Sequence, residues 1–146
     1  MRPTEDDINI WIAAGDGKIE RVQELISRGV SPNAKDQNGY TPLAAAVSYN
    51  HLEIIELLIS NGADVNVRDN EGDTPLCVAE TVEVVQLLLR HGADPFIRNV
   101  EGKTPAQVAF EEEWFDVAHL LRSITGEPEP LRNNSDIYHV LNNGNN

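Results

Sequence analysis

Apolar residues recur along this chain in two alternating registers. In the first, Ile54, Leu57 and Leu58, and again Val84, Leu87 and Leu88, fall at i, i+3 and i+4. That is the stripe of an amphipathic helix with one buried face. The second register is built on small residues, Ala45 and Ala46 in one segment, Ala79 and Ala109 in two others, and predicts short helices that neighbours can approach closely. Polar turns separate the registers. Gly39, Gly72 and Gly102 provide positive φ in those turns. Thr41, Thr74 and Thr104 are good helix N-caps, and Pro42, Pro75 and Pro105 follow at the first helical position, where a missing N–H costs nothing. Gly29, Gly62 and Gly92 end the Leu-rich helices in the left-handed conformation usual there.

The pattern is a repeat. Residues 36–68 read DQNGYTPLAAAVSYNHLEIIELLISNGADVNVR, residues 69–98 read DNEGDTPLCVAETVEVVQLLLRHGADPFIR, and residues 99–123 begin NVEGKTPAQVAFEEEWFDVAHLLRS. Residues 9–35 repeat the second half of the unit without a Thr-Pro. Gly-x-Thr-Pro-Leu, an Ala-rich helix and Leu-Leu-x-x-Gly-Ala-Asp, matched over the full 33-residue period at 36–68, resemble the ankyrin-repeat family. The resemblance implies an all-α solenoid of stacked helix–turn–helix units with β-hairpin-like loops along one edge. It divides residues 1–124 into repeats at about 6–35, 36–68, 69–98 and 99–124. Residues 125–146 form a linker and tail, with a short helix expected at 135–143 from Ser135, Ile137, Val140, Leu141 and Gly144.

The chain departs from the family pattern in places. Where the family prefers His after Thr-Pro-Leu, this chain has Ala44, Cys77 and Gln107, with Trp11 in the first unit. The third unit lacks three residues: Ala46 to Glu53 is seven positions, Ala79 to Glu83 only four. The loss removes about 4.5 Å, nearly a helical turn, from the end of the first helix. In the last unit Phe115 aligns with Leu52 and Val82 and is expected in the core. Trp114 aligns with His51 and is either a binding anchor or a partly packed cap residue.

Charge narrows the function. The net charge is -13, split as -4 over residues 1–68 (10 acids, 6 bases) and -9 over residues 69–146 (14 acids, 5 bases). Such a surface repels phosphate backbones and anionic membranes and favours basic partners. A single cysteine, Cys77, excludes an internal disulfide and fits a reducing compartment. The N-terminal MRPTEDDINIW has neither a signal-peptide pattern nor a transit pattern, so the expected location is cytoplasmic, nuclear or both. His51, His91, His119 and His139 stand at unrelated repeat positions and make no metal spacing with Cys77. No catalytic constellation and no cofactor motif emerges. The expected protein is a monomeric, non-enzymatic binding module.

The resemblance places the contacting residues on hairpin tips and first helices. They are Lys35, Gln37, Asn38 and Tyr40; Ser48 and Tyr49; Arg68, Asn70, Glu71 and Asp73; Arg98, Val100, Glu101 and Lys103; Glu111 and Glu112; and Trp114. Tyr40 and Tyr49 are the candidate anchors. Three roles fit: an adaptor or scaffold for a protein partner, a dedicated chaperone of a basic ribosomal or nucleic-acid-binding client, or an inhibitor or regulatory subunit of an enzyme. The stretch Ala93–Asn99 resembles a segment of a small yeast ankyrin protein that escorts a ribosomal protein. Leu58, Asp64, Val65 and Asn66 match the spacing by which animal asparagine hydroxylases recognise ankyrin repeats, which marks Asn66 as a modification candidate.

Overall fold

The computed structural model describes residues 5–130, with side chains from Ile10 onward. The tail helix expected at 135–143 lies outside the described residues. Within them stand seven α-helices and one 3-10 helix: α1 (Glu5–Gly15), α2 (Ile19–Ser27), α3 (Pro42–Ser48), α4 (Leu52–Ser60), the 3-10 turn (Pro75–Val78), α5 (Val82–Arg90), α6 (Pro105–Glu111) and α7 (Phe115–Thr125). Successive elements pair as hairpins, and the pairs stack. The first row runs α1, α3, the 3-10 turn and α6. The second row sets α2 against α4 and α5 against α7.

The stripes predicted from spacing become the core. Ile54, Leu58, Val84, Leu87 and Leu88 are all buried. So are Ala46, Ala79 and Ala109, where a larger side chain would hold the first-row helices apart. Each buried Leu contributes on the order of 2 kcal/mol. Phe115 departs from expectation. It is 40% exposed, much as Leu52 is at 41%, because the first position of each second helix lies ahead of the inward stripe, which begins at Ile54 and at Val117. Phe115 packs edge-on against Phe110 instead, with ring centroids 5.6 Å apart.

The shortened unit departs further. Its first helix is a four-residue 3-10 turn with Cys77 N–H to Thr74 O (2.9 Å) and Ala79 N–H to Leu76 O (3.4 Å). Only three of its residues are buried, against six in α3. With three residues deleted, too few remain for the α-type bonds that need four-residue separation. Thr74 consequently makes no side-chain cap, whereas Thr41 and Thr104 accept from Ala44 N and Gln107 N. Thr74 Oγ1 lies 3.8 Å from Cys77 Sγ instead. Thr81 caps the second helix of the unit, α5, accepting from Val84 N.

The turn between the two helices of a unit needs one left-handed residue. Gly17 (φ 76°), Asn50 (φ 63°) and Glu113 (φ 65°) occupy it. In all three units the next residue's N–H closes the same loop: Lys18 to Ala13 O, His51 to Ala46 O and Trp114 to Ala109 O. Glycine and asparagine suit this backbone and glutamate does not. Glu113→Asn is therefore expected to stabilise the fold by about 0.5–1 kcal/mol. Urea unfolding checks it; a midpoint that stays put or falls, at constant slope, would refute the strain assigned to Glu113.

Candidate protein-binding edge

Three polar turns project from the first-row edge, at 36–40, 69–73 and 99–103. Each is closed the same way. Asp36, Asp69 and Asn99 donate their N–H to the carbonyls of Tyr40, Asp73 and Lys103. Their side-chain Oδ1 atoms accept two backbone N–H groups each, for example Asn38 and Tyr40 at 2.8 and 2.9 Å on Asp36. Short side chains that satisfy backbone donors locally make such turns rigid without a strand ladder. The turns are also tied to one another. Asn70 N–H donates to Asn38 O and Val100 N–H to Glu71 O, both at 3.0 Å.

This coupling takes up much of the side-chain set assigned to binding. Lys35 Nζ donates to Arg68 O (3.1 Å), and Arg68 Nη2 donates to Arg98 O (2.7 Å). Arg68 Nε and Arg98 Nη1 also close on their own turns, at Gly72 O and Gly102 O. Asn70 Nδ2 reaches Gln37 O (3.0 Å), and Asn99 Nδ2 reaches Asp73 Oδ1 (2.9 Å). Lys103 sits between Glu111 (2.8 Å) and Glu101 (3.1 Å), and hydrogen bonds to them raise its pKa. Tyr40 is half-buried and its hydroxyl is bonded to Ser48 Oγ at 2.8 Å, so it braces its own repeat. Trp114 is likewise half-buried against the core.

A different subset faces outward. Tyr49 is 66% exposed and Val100 71%. Gln37, Asn38, Glu71 and Glu112 are exposed as well. Tyr49 sits at the end of α3, its ring 3.4 Å from where a Cβ on Gly15 would stand. Beyond it comes the step left by the shortened unit. Asn50 bridges that step, Nδ2 donating to Glu80 Oε1 (3.1 Å) and Oδ1 accepting from Thr81 Oγ1 (3.3 Å). Neither Glu80 nor Asn50 stands out in the sequence; the deletion itself is the signal that their neighbourhood is altered.

A second ladder runs along the loops after the second-row helices. Asn33 Nδ2 donates to Gly62 O and its Oδ1 accepts from Asp64 N–H, both at 2.8 Å. One unit on, Asn66 does the same to Gly92 O (3.2 Å) and Asp94 N–H (2.8 Å). Both amide atoms of Asn66, the modification candidate, are thus engaged in holding two units together. The next equivalent residue is Phe96, 60% exposed. Spacing of 33 residues between Asn33 and Asn66 was the sequence sign of this ladder.

Cys77 is buried, and loss of hydration pushes its thiol pKa up to about 11, which keeps it protonated and unreactive near neutrality. Among the described residues there is no group of three His, Cys, Asp or Glu side chains placed to hold a metal ion. No helix among them is long and apolar enough to cross a membrane.

Residues 10–99 fit the family model described as ankyrin repeats, three copies. A 46-residue segment is 59% identical to an ankyrin repeat-containing protein of Schizosaccharomyces pombe, covering 32% of this chain and 22% of that relative.

Proposed function

Because the chain belongs to the ankyrin-repeat family, whose repeats are generally protein-interaction modules, we propose that it binds a basic protein segment along the first-row edge. The observation that carries the proposal is the state of the edge's cations. Lys35, Arg68 and Arg98 use donors on carbonyls of the chain itself and Lys103 is paired with Glu101 and Glu111, so fewer cation donors than carboxylate acceptors are left for a partner, beside the exposed Tyr49 and Val100. Glu71 and Glu112 supply the outward charge, and Tyr49 supplies the apolar anchor with a hydroxyl at its tip. A partner segment with several Lys or Arg side chains, one stacked on Tyr49 and others meeting the carboxylates, fits that chemistry.

The net charge of -13 favours, within this reading, a role as dedicated chaperone of a basic client over that of a neutral adaptor. Screening such a client's charge before it meets nucleic acid is work that this surface can do. The test is capture on the immobilised full chain, identification of bound proteins by mass spectrometry, and titration of the leading one. The triple variant Tyr49→Ala, Glu71→Gln, Glu112→Gln is expected to lose at least about tenfold in affinity. Raising salt from about 0.05 to 0.5 M is expected to weaken the wild-type complex steeply. Undiminished binding by the variant would reject this edge as the interface, and salt-insensitive binding would reject the basic partner.

A further inference from the structure

We propose that the cleft between the helix turns of the first two units receives a lysine or arginine side chain of the protein partner; the inference rests on the reading of that partner as basic. The first observation is that this cleft is open where its neighbour is bridged. Gly17 and Asn50 hold the same left-handed place in successive units. The Asn50 amide reaches forward to Glu80 and Thr81 and spans the step to the third unit. Gly17 has no side chain to do the same toward the second unit. The space left there is a cleft of about 340 Å³, lined by Gly17, Ile19 and the run from Asn50 to Ile54. That volume lies at the lower end of the range for ligand pockets.

The second observation is a fixed acceptor. His51 Nε2 lies 2.8 Å from Gly15 O. A carbonyl oxygen only accepts, so Nε2 carries the proton and donates it, and in the neutral ring Nδ1 is left as an acceptor. Gly17 makes room for the ring: a Cβ there would stand 2.8 Å from Cε1 and 3.1 Å from Nδ1 of His51. Nδ1 therefore lies against Gly17, which with His51 lines the cleft. It makes no hydrogen bond among the described residues, and it is not sealed from solvent, so an entering donor can reach it.

The occupant follows from the lining. Leu52 is 41% exposed and Ile19 half-buried, so two walls are aliphatic. Glu53, exposed, adds a carboxylate. Apolar walls with acceptors and no cation suit a side chain with a long apolar stem and a charged, donor-rich head. An acidic side chain would meet Glu53, and a wholly apolar one would leave Nδ1 and the carboxylate without a donor. Charge complementarity agrees. On the turns framing the cleft, the exposed charges are Asp16, Glu20, Glu53 and Glu80 against Lys18 alone. Tyr49 immediately precedes Asn50, so one basic segment can lie on the exposed ring and place a neighbouring side chain in the cleft.

The test needs no partner at first. Amide spectra of the full chain are followed while N-acetyl-arginine methylamide is added, and then its uncharged citrulline counterpart. Saturable shifts centred on Gly17, Leu52 and Glu53 are expected for the arginine probe, with a dissociation constant on the order of 1–10 mM. Glu53→Gln is expected to weaken the probe about threefold. Shifts scattered over the acidic surface without this centre, or equal binding of the citrulline probe, overturn the proposal. The double variant Leu52→Ala, Glu53→Gln is then measured against the captured partner beside the variant of Tyr49, Glu71 and Glu112. Weakening by the double variant of at least about threefold supports the cleft, even if the triple variant binds normally and the first-row edge falls. Weakening by the triple variant alone overturns the cleft and leaves the edge standing, and normal binding by both overturns both.

Discussion

Replacing Leu88 by alanine is expected to destabilise the protein by about 3–5 kcal/mol. Leu88 is fully buried in α5, and its carbonyl closes the helix end by accepting from Ala93 N–H at 3.0 Å. The magnitude rests on where it lies. A repeat touches only its neighbours, so a cavity in one unit weakens two interfaces and cannot be spread over a larger core. In the third unit the first-row partner is only the 3-10 turn, with three buried residues to hold the joint. A loss of this size removes a large part of the total stability of an ordinary domain. Urea unfolding of Leu88→Ala followed by circular dichroism measures it. A broadened transition is expected, with the α6–α7 unit opening first; a loss below about 1 kcal/mol would show that the site relaxes around the cavity.

Gly72→Ala is expected to cost about 2–4 kcal/mol, whereas Gly102→Ala costs about 1. The two glycines have the same backbone, φ 77° and 76°, and the same place in their turns. They differ in what stands next to them. A Cβ on Gly72 would lie 2.9 Å from the backbone nitrogen of Val100 and 3.2 Å from Cα of Asn99, whereas nothing lies within 4 Å at Gly102. Both substitutions incur the left-handed penalty; only the first forces neighbouring turns apart and loosens the Val100 N–H to Glu71 O bond. Thermal unfolding of the pair separates backbone strain from stacking by subtraction. Equal losses would mean that the turns carry no stacking energy.

Much of the fold was legible because its rules are local and repeated. Proline after threonine, glycine at a left-handed position and leucines at i, i+3, i+4 each act within a few residues, and every copy reinforces the reading. Phe115 departs from its expected burial for a physical reason: alignment transfers position along a helix, and Leu52, the residue it aligns with, is itself 41% exposed. The deletion before Glu83 was plain in the sequence, yet its effect, a 3-10 turn whose Thr74 makes no side-chain cap beside an α5 that Thr81 does cap, depends on which backbone bonds the shortened segment can close. Less of the candidate site was readable. Lys35, Arg68 and Asn70 look like display residues in one dimension. Only the stacking of turns shows that they are fastened to carbonyls 33, 30 and 33 positions away. Tyr40 and Tyr49 are indistinguishable as letters, and it is the Ser48 hydroxyl that separates a brace from an exposed ring.

The bridge from Asn50 to Glu80 and Thr81 has a mechanical meaning. A stack of equal units stretches evenly, like a uniform spring, but here one coil is thinner than the rest. Force applied along the array, by a partner gripping both ends of its edge or by threading into a protease, concentrates on that coil. The 3-10 turn has the least buried length to resist it, and two side-chain hydrogen bonds latch its margin. Yielding there would leave α1–α4 on one side and α5–α7 on the other, with α5 held by α7 alone, so the molecule is expected to bend at its third unit before it unravels from its ends.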